Sequence, residues 1–358
     1  MKIGVILGTR PEIIKLAPVI RELEKRKLDY FILHTGQHYS YEMDEVFFEE
    51  LKLPQPKYNL NAGLDSFRKQ VGVMVSGISE ILKQEKPDYN IVLGDVNSVL
   101  AGALSSNKLN IKIAHIEAGL RSHDIKMLEE TNRIITDHIS DYLFAPTEYA
   151  KKNLEEEGVN SNKVIVTGNT IVDAVIQNLE LANKKFNILN DLRLKEDSYL
   201  VLTTHRPENV DVKYKLEEML EGIRLVYNEF KLPILYPIHP RTEKNLNLYA
   251  LKIPDGVTTL KPLGYLEFLQ LLSKSKLILT DSGGLQEEAC TLKIPCVTLR
   301  ENTERPETLE IKCNVLTGTN PSKILQYSRE MINKERNWEN PYGDGKAAER
   351  IINFLINQ

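Results

Sequence analysis

A two-part α/β protein built on parallel sheets is what this sequence predicts, on three observations. Short apolar, β-branched runs alternate with longer amphipathic stretches, the rhythm of strands buried on both faces between covering helices. That rhythm restarts after Gly168, and 358 residues suit two domains better than a single core. Polar and charged residues gather where the apolar runs end, the side on which open α/β sheets bind ligands.

In the first half, residues 3–7, 30–34, 90–93, 112–116, 142–145 and 163–167 read as strands, with helices over 11–26, 67–84, 98–107, 129–139 and 148–157. In the second half, 199–203, 234–238, 258–260, 277–280, 296–299 and 314–316 read as strands, with helices over 214–230, 265–273 and 285–292. The stretch 183–197 is polar and reads as a loop. A last amphipathic helix, 345–356, has no strand after it. The expected layout is one domain over 1–168, a second over 169–344, and a terminal helix in 345–358 packing back on the first. The two sheets are expected to face a cleft between the domains.

A net charge of -4 carries no basic footprint for nucleic acid, though a local Arg/Lys cluster inside such a chain can still hold an anion. No run approaches the roughly 20 apolar residues of a membrane span. The apolar start of the chain leads into a turn and a helix rather than a cleavage site. Cys290, Cys296 and Cys313 form no CxxC pair and read as reduced, so a cytoplasmic location is expected.

Gly8-Thr9-Arg10-Pro11-Glu12 joins a strand to a helix; Gly8 permits the turn and Pro11 suits the first helical turn. Helix-start N–H groups there, with Arg10 and Lys15, are expected to attract an anion. The second and third glycines of GxGxxG are missing, so no nicotinamide is expected. Thr280-Asp281-Ser282-Gly283-Gly284 repeats the design in the second half, with Glu288 a turn into the following helix as a hydroxyl acceptor. Arg305 is a further candidate for a diphosphate, and Phe268, just past a Leu263-Gly264 turn, for a base. Each loop also has a bland reading, as a salt-bridged turn or a helix cap. The proton-transfer candidates are Asp95, Glu117, Glu129, Glu130 and His205, of which Asp95, Glu117 and His205 sit at strand ends in different strands. Metal readings are poor: His34 and His38 fall on a strand end and a loop, His115-x-Glu117 lacks a PCxxC partner, and no HExxH exists. No metal or other cofactor is expected.

Taken together, GTRPEIIKLAP, Gly94-Asp95, HIEAGLR, EETNR, TGNTIVDA, HRPEN, TDSGGLQEEA, ENTERPE and NPYGDG make the chain resemble the non-hydrolysing UDP-N-acetylglucosamine 2-epimerases nearly end to end. The resemblance implies a GT-B-like fold of two Rossmann-like domains, the second binding the nucleotide. It implies Asp95, Glu117, Glu129 and His205 as the catalytic group, with Arg10 and Lys15 on the active-site floor. Phe268 then packs on uracil, Ser282, Gly283 and Gly284 hold phosphate, Glu288 takes the ribose, and Arg305 approaches the substrate. A second, activating UDP-N-acetylglucosamine is implied at Gln37, His38, Arg206 and His239. UDP-N-acetylglucosamine and UDP are the expected partners, and a homodimer the expected assembly.

C2 of such a sugar is not beside a carbonyl, so base alone makes no stabilised carbanion there. The expected route breaks C1–O first, with loss of the C2 proton giving a 2-acetamidoglucal. The rivals are a hydrolysing 2-epimerase, a GT-B glycosyltransferase and a non-enzymatic nucleotide-sugar sensor. Against the last two stands an excess of acids in the Asp95, Glu117, Glu129 group.

Overall fold

Continuous apolar runs make the strands, and strand order decides which loops meet. The computed structural model describes residues 1–36, 41–63 and 67–358. It divides into two compact units, residues 1–174 with 342–358, and residues 175–341.

Unit 1 begins with β1 (Lys2–Leu7), α1 (Arg10–Lys25), β2 (Asp29–His34), α2 (Tyr41–Glu50), β3 (Tyr58–Asn59), α3 (Phe67–Glu85), β4 (Tyr89–Leu93) and α4 (Asn97–Lys108). It continues through β5 (Lys112–Ile116), α5 (Leu128–Ile139), β6 (Tyr142–Ala145), α6 (Glu148–Glu156), β7 (Val164–Val166) and the start of α7 (Thr170–Lys185). All its strands pair in parallel, in the order β3-β2-β1-β4-β5-β6-β7. The inner strands β1 and β4 are almost wholly buried, as a sheet covered on both faces requires.

Unit 2 holds the rest of α7, then α8 (Ile188–Asp191), β8 (Leu200–Thr203), α9 (Pro207–Val210), α10 (Lys213–Phe230), β9 (Ile234–Pro237) and α11 (Pro240–Leu248). There follow β10 (Val257–Leu260), α12 (Tyr265–Ser273), β11 (Leu277–Thr280), α13 (Gly283–Thr291), β12 (Cys296–Thr298), α14 (Pro306–Glu310), β13 (Asn314–Leu316) and α15 (Pro321–Met331). The order β10-β9-β8-β11-β12-β13 repeats the scheme of unit 1. Leu202, Ile223, Leu279 and Val297 belong to one of its cores, and Tyr199, Val201, Ile278 and Leu271 to another.

The chain ends with α16 (Ala347–Ile356), which packs against α1 in unit 1. Its Ile351, Ile352 and Leu355 are buried, each burial stabilising by about 1.5–3 kcal/mol. Asp173 accepts the Ala347 and Ala348 N–H groups at 3.2 and 3.0 Å, anchoring the start of this helix.

Most elements stand within a residue or two of their sequence expectation. The exceptions have physical reasons. Residues 183–197 are not all loop, because Lys185 ends α7 and α8 forms where buried Ile188, with Leu189 and Leu192, packs on the second core. Two-residue β3 is too short to leave a periodic signal. Helix α16 begins at 347 rather than 345, since Gly345 has a left-handed φ of 80°.

In each sheet the order reverses between two neighbouring strands, β1 and β4 in unit 1, β8 and β11 in unit 2. The crevice outside the carboxyl ends of such a pair is where doubly wound sheets take ligands. Among the described residues no helix is long and apolar enough to cross a membrane.

Candidate functional site

At the switch point of unit 1, Thr9 holds the N-cap position of α1 and Pro11 stands in its first turn. The turn before this helix is braced by an acid of the helix's own first turn. Buried Glu12 accepts the Gly8 N–H at 3.0 Å, the Thr9 hydroxyl at 2.9 Å and the Ser98 hydroxyl at 2.9 and 3.0 Å. Burial pushes its carboxyl up to about 7 in spite of those donors. The Arg10 guanidinium lies 4.9 Å from the centre of the Phe47 ring, a cation–π contact.

Glu117 follows β5 with φ at 66°, a left-handed conformation that is strained for glutamate and collects at functional sites. Its side chain is buried, and Oε1 accepts from Lys15 Nζ at 2.6 Å and from Asn169 Nδ2 at 3.0 Å. Oε2 lies beside Gly94, 3.5 Å from where a Cβ on that glycine would stand. Gly94 has φ 87° and leads straight into Asp95, so Glu117 and Asp95 occupy the ends of paired strands β5 and β4.

Asp95 is ion-paired with Arg133, whose other nitrogen reaches Glu130 at 2.6 Å. Asn132 holds the Asp95 carbonyl at 2.8 Å. Glu130 also accepts from Ser122 and His123; burial opposes its ionisation, yet these donors and Arg133 hold its carboxyl below the usual range. Helix α5 thus turns Glu130 inward and leaves Glu129, the acid chosen from sequence, exposed.

A buried network braces this turn. His115 Nδ1 is 2.7 Å from Asp137, and Nε2 donates to the Gly94 carbonyl at 2.9 Å. Asp137 also meets Arg121 at 2.8 Å and the Gly119 N–H at 3.2 Å. Burial opposes its ionisation, but His115 and Arg121 keep its carboxyl below the usual range.

At the switch point of unit 2, fully buried Asp281 ends β11. Its carboxylate accepts the backbone N–H groups of His205 and Arg206 at 3.0 Å, and His205 Nδ1 lies 3.2 Å from Oδ1. The His205 and His239 rings are 5.7 Å apart. Burial, together with the charges of His205 and Arg241, lowers the His239 pKa.

Ser282 caps α13. A Cβ on Gly283 would come 3.2 Å from Glu304 Oε2, 3.5 Å from Arg206 Nη2 and 3.6 Å from Arg300 Nη1, while one on Gly284 would meet nothing within 4 Å. Two guanidinium groups therefore converge on a glycine helix start, an arrangement suited to phosphate. Burial works against Glu304, but Arg300 grips both its oxygens, at 3.1 and 2.8 Å, and holds the carboxyl down to about 2.

Not every sequence choice joins these groups. Arg305 is buried against Glu287 at 2.8 Å, an internal ion pair rather than a side chain held out toward a diphosphate. Arg206, expected at the second-ligand site, has Nη2 3.5 Å from where a Cβ on Gly283 would stand. Phe268 is half-buried in the first turns of α12, and Glu288 is half-buried on α13. Gln37 and His38 lie outside the described residues. Sequence reading gave Asn169, Asp281 and Arg300 no role of their own, though the first two stand in motifs it singled out. Asp281 and Arg300 follow strands β11 and β12 closely. Among the described residues no group of three His, Cys, Asp or Glu side chains is arranged to hold a metal.

The family model described as UDP-N-acetylglucosamine 2-epimerase matches residues 21–356. A protein of that name from Methanocaldococcus jannaschii is 54% identical over 362 residues, covering 99% of each chain. One from Methanococcus maripaludis is 51% identical over 363 residues, covering 100% of this chain and 99% of its own. The crystal structure of Methanocaldococcus jannaschii UDP-GlcNAc 2-epimerase in complex with UDP-GlcNAc and UDP matches 100% of both chains at 54% identity, with a TM-score of 0.91. The fold class is α/β and GT-B-like, with two Rossmann-like sheets.

Proposed function

The chain belongs to the UDP-N-acetylglucosamine 2-epimerase family, and from that premise we propose that it interconverts UDP-N-acetylglucosamine and UDP-N-acetylmannosamine through a 2-acetamidoglucal. The observation that carries this reading is the pair of acids at adjacent strand ends, Asp95 and Glu117, each with an oxygen held by a cation. A carboxylate so held is fixed in orientation, as a general base must be to reach the proton it takes.

In the reaction the C1–O bond breaks and its electron pair leaves on the diphosphate. The C2 proton passes to a base, and a C1–C2 double bond forms. Proton return to the other face of C2 and attack of UDP oxygen at C1 complete the inversion. We assign the diphosphate to Ser282, Gly283 and Gly284 with Arg206 and Arg300, whose guanidinium groups meet charge where it develops. Glu288 and Phe268 are assigned to ribose and uracil, as the family resemblance implies. Asp95, Glu117 and His205 are assigned to proton transfer, with Glu129 recruited from its exposed position at the start of α5. Arg10 stands near the sugar, and His239 is assigned to a second nucleotide-sugar.

The test is proton NMR of UDP-N-acetylglucosamine incubated with the enzyme in D2O. The epimer is expected to carry deuterium at C2. A full C2 proton signal in the product would sink the elimination route. Free N-acetylmannosamine with stoichiometric UDP would assign a hydrolysing reaction instead, and absence of any epimer would sink the assignment altogether.

A further inference from the structure

The two imidazoles of unit 2 differ in what holds their inner nitrogens. His205 Nδ1 lies 3.2 Å from Oδ1 of Asp281, and the other polar atoms that meet this carboxylate are donors as well. They are the N–H of His205 at 3.0 Å to both oxygens, the N–H of Arg206 at 3.0 Å, and Nδ2 of Asn209 at 3.5 Å. Oδ1 already accepts the His205 backbone N–H, and at 3.2 Å a proton on Nδ1 would face it as a further donor. At His239 the polarity is reversed: the backbone N–H of Arg241 donates to Nδ1 at 3.1 Å, which therefore has its lone pair engaged. In a neutral imidazole one nitrogen is a donor and the other an acceptor.

We propose that Asp281 is a positioning residue that fixes His205 in the Nδ1–H tautomer, making Nε2 the atom that takes a proton, while the Arg241 N–H sets neighbouring His239 in the opposite tautomer as a donor. The rings, 5.7 Å apart and tilted by 41°, then form an acceptor and donor pair whose polarity is written by their second partners. The role of His205 rests on the epimerase reading above; the tautomers do not. The fully buried carboxylate is supplied by β11 and the histidine follows β8, its parallel neighbour, so pairing of these two strands delivers one to the other.

The first test uses the whole wild-type protein, labelled with 15N, at a pH well above the ordinary imidazole range. Long-range 1H–15N correlation is expected to show His205 with a protonated Nδ1 and a pyridine-like Nε2, and His239 with the reverse. His205→Gln and His239→Gln spectra assign the signals. A protonated Nε2 on His205 overturns the proposal, and needs no variant of Asp281 to be read.

The second test is Asp281→Asn. An amide oxygen in the Oδ2 position keeps both backbone donors, while its NH2 faces Nδ1 and forces the proton of His205 onto Nε2. Turnover is expected to fall by about 10²-fold or more with KM changed less than about 3-fold, and the His205 signals are expected to exchange character. A folded Asp281→Asn protein with near-normal turnover overturns the proposal. The wild-type spectrum is taken without substrate, so an inert enzyme showing the expected tautomers refutes the epimerase reading and supports the Asp281 arrangement.

Discussion

At the carboxyl ends of β4 and β5 the acids come with their own cations: Glu117 has Lys15, Asp95 and Glu130 share Arg133, and Asp137 has Arg121. At the end of β11 the buried acid Asp281 is met instead by backbone N–H groups and a histidine, while the guanidinium groups of Arg206 and Arg300 gather around Gly283 with Glu304. The first arrangement sets several carboxylates close together, each fixed on a cation. The second brings two guanidinium groups beside a glycine helix start, one of them paired with Glu304. Similar strand orders thus support opposite electrostatics, because what a switch point does is decided by the loops placed there. On the proposed reading the acids of unit 1 move protons and the arginines of unit 2 hold the diphosphate.

The largest effect that would break this contrast is expected at the unit 1 acids. Glu117→Gln and Asp95→Asn should each lower turnover by about 10²-fold or more, with folding intact by circular dichroism. Near-normal turnover in either folded variant would move that residue to a structural role.

Next comes the counter-cation. Lys15→Met removes the ammonium group 2.6 Å from Glu117 and strands a buried carboxylate. Turnover is expected to drop by roughly 10-fold or more, along with a lower melting temperature. If activity and melting both match the wild type, the pairing of acid and cation in unit 1 has no functional weight.

Unit 2 should respond in binding rather than in chemistry. Arg300→Ala and Arg206→Ala each remove a charged group worth about 1.5–3 kcal/mol where it meets phosphate, so UDP affinity should weaken by roughly 10- to 100-fold. Titration calorimetry with UDP reads this directly. Unchanged affinity in both variants would take the phosphate away from Gly283.

The smallest expected effect lies away from both switch points and sharpens the comparison by showing an acid held neither by a cation nor for chemistry. Burial pushes the Asp173 carboxyl from 3.8 up to about 6, although the Ala348 and Ala347 N–H groups work the other way. The folded chain therefore holds this proton more tightly than the unfolded chain. The resulting stabilisation is fully present below the unfolded value and is lost as pH rises through about 6. Asp173→Asn should flatten the fall in stability between those values, as followed by urea unfolding at several pH values. An unchanged slope would show that Asp173 does not titrate in that window.

Much of the fold was legible because parallel strands buried on both faces are nearly continuous apolar runs, and β1, β4, β8 and β11 are, with few polar positions among them. The loops that carry polar groups were legible for the complementary reason that strand ends lie outside the core. Individual roles were less so. Glu129 and Glu130 are adjacent and chemically alike, and only the turn of α5 puts one in solvent and the other on Arg133. Arg305 and Arg300 stand in one segment, yet Arg305 pairs with Glu287 of α13 while Arg300 pairs with Glu304 and lies near Gly283. No local pattern separates these cases, since burial of a charge depends on what lies opposite.

By itself the sequence determined the alternation of strands and helices, the side of each sheet where chemistry gathers, and the acids and arginines available there. The tertiary structure decided which of them are partners. Lys15 and Glu117 are 102 residues apart, and His205 and the Asp281 carboxylate 76. They meet because β1 lies beside β4, β4 beside β5, and β8 beside β11. Side-chain charge is a property of a residue, but ionisation, orientation and tautomer are set by neighbours within a few ångströms, and only the folded sheet brings those neighbours together.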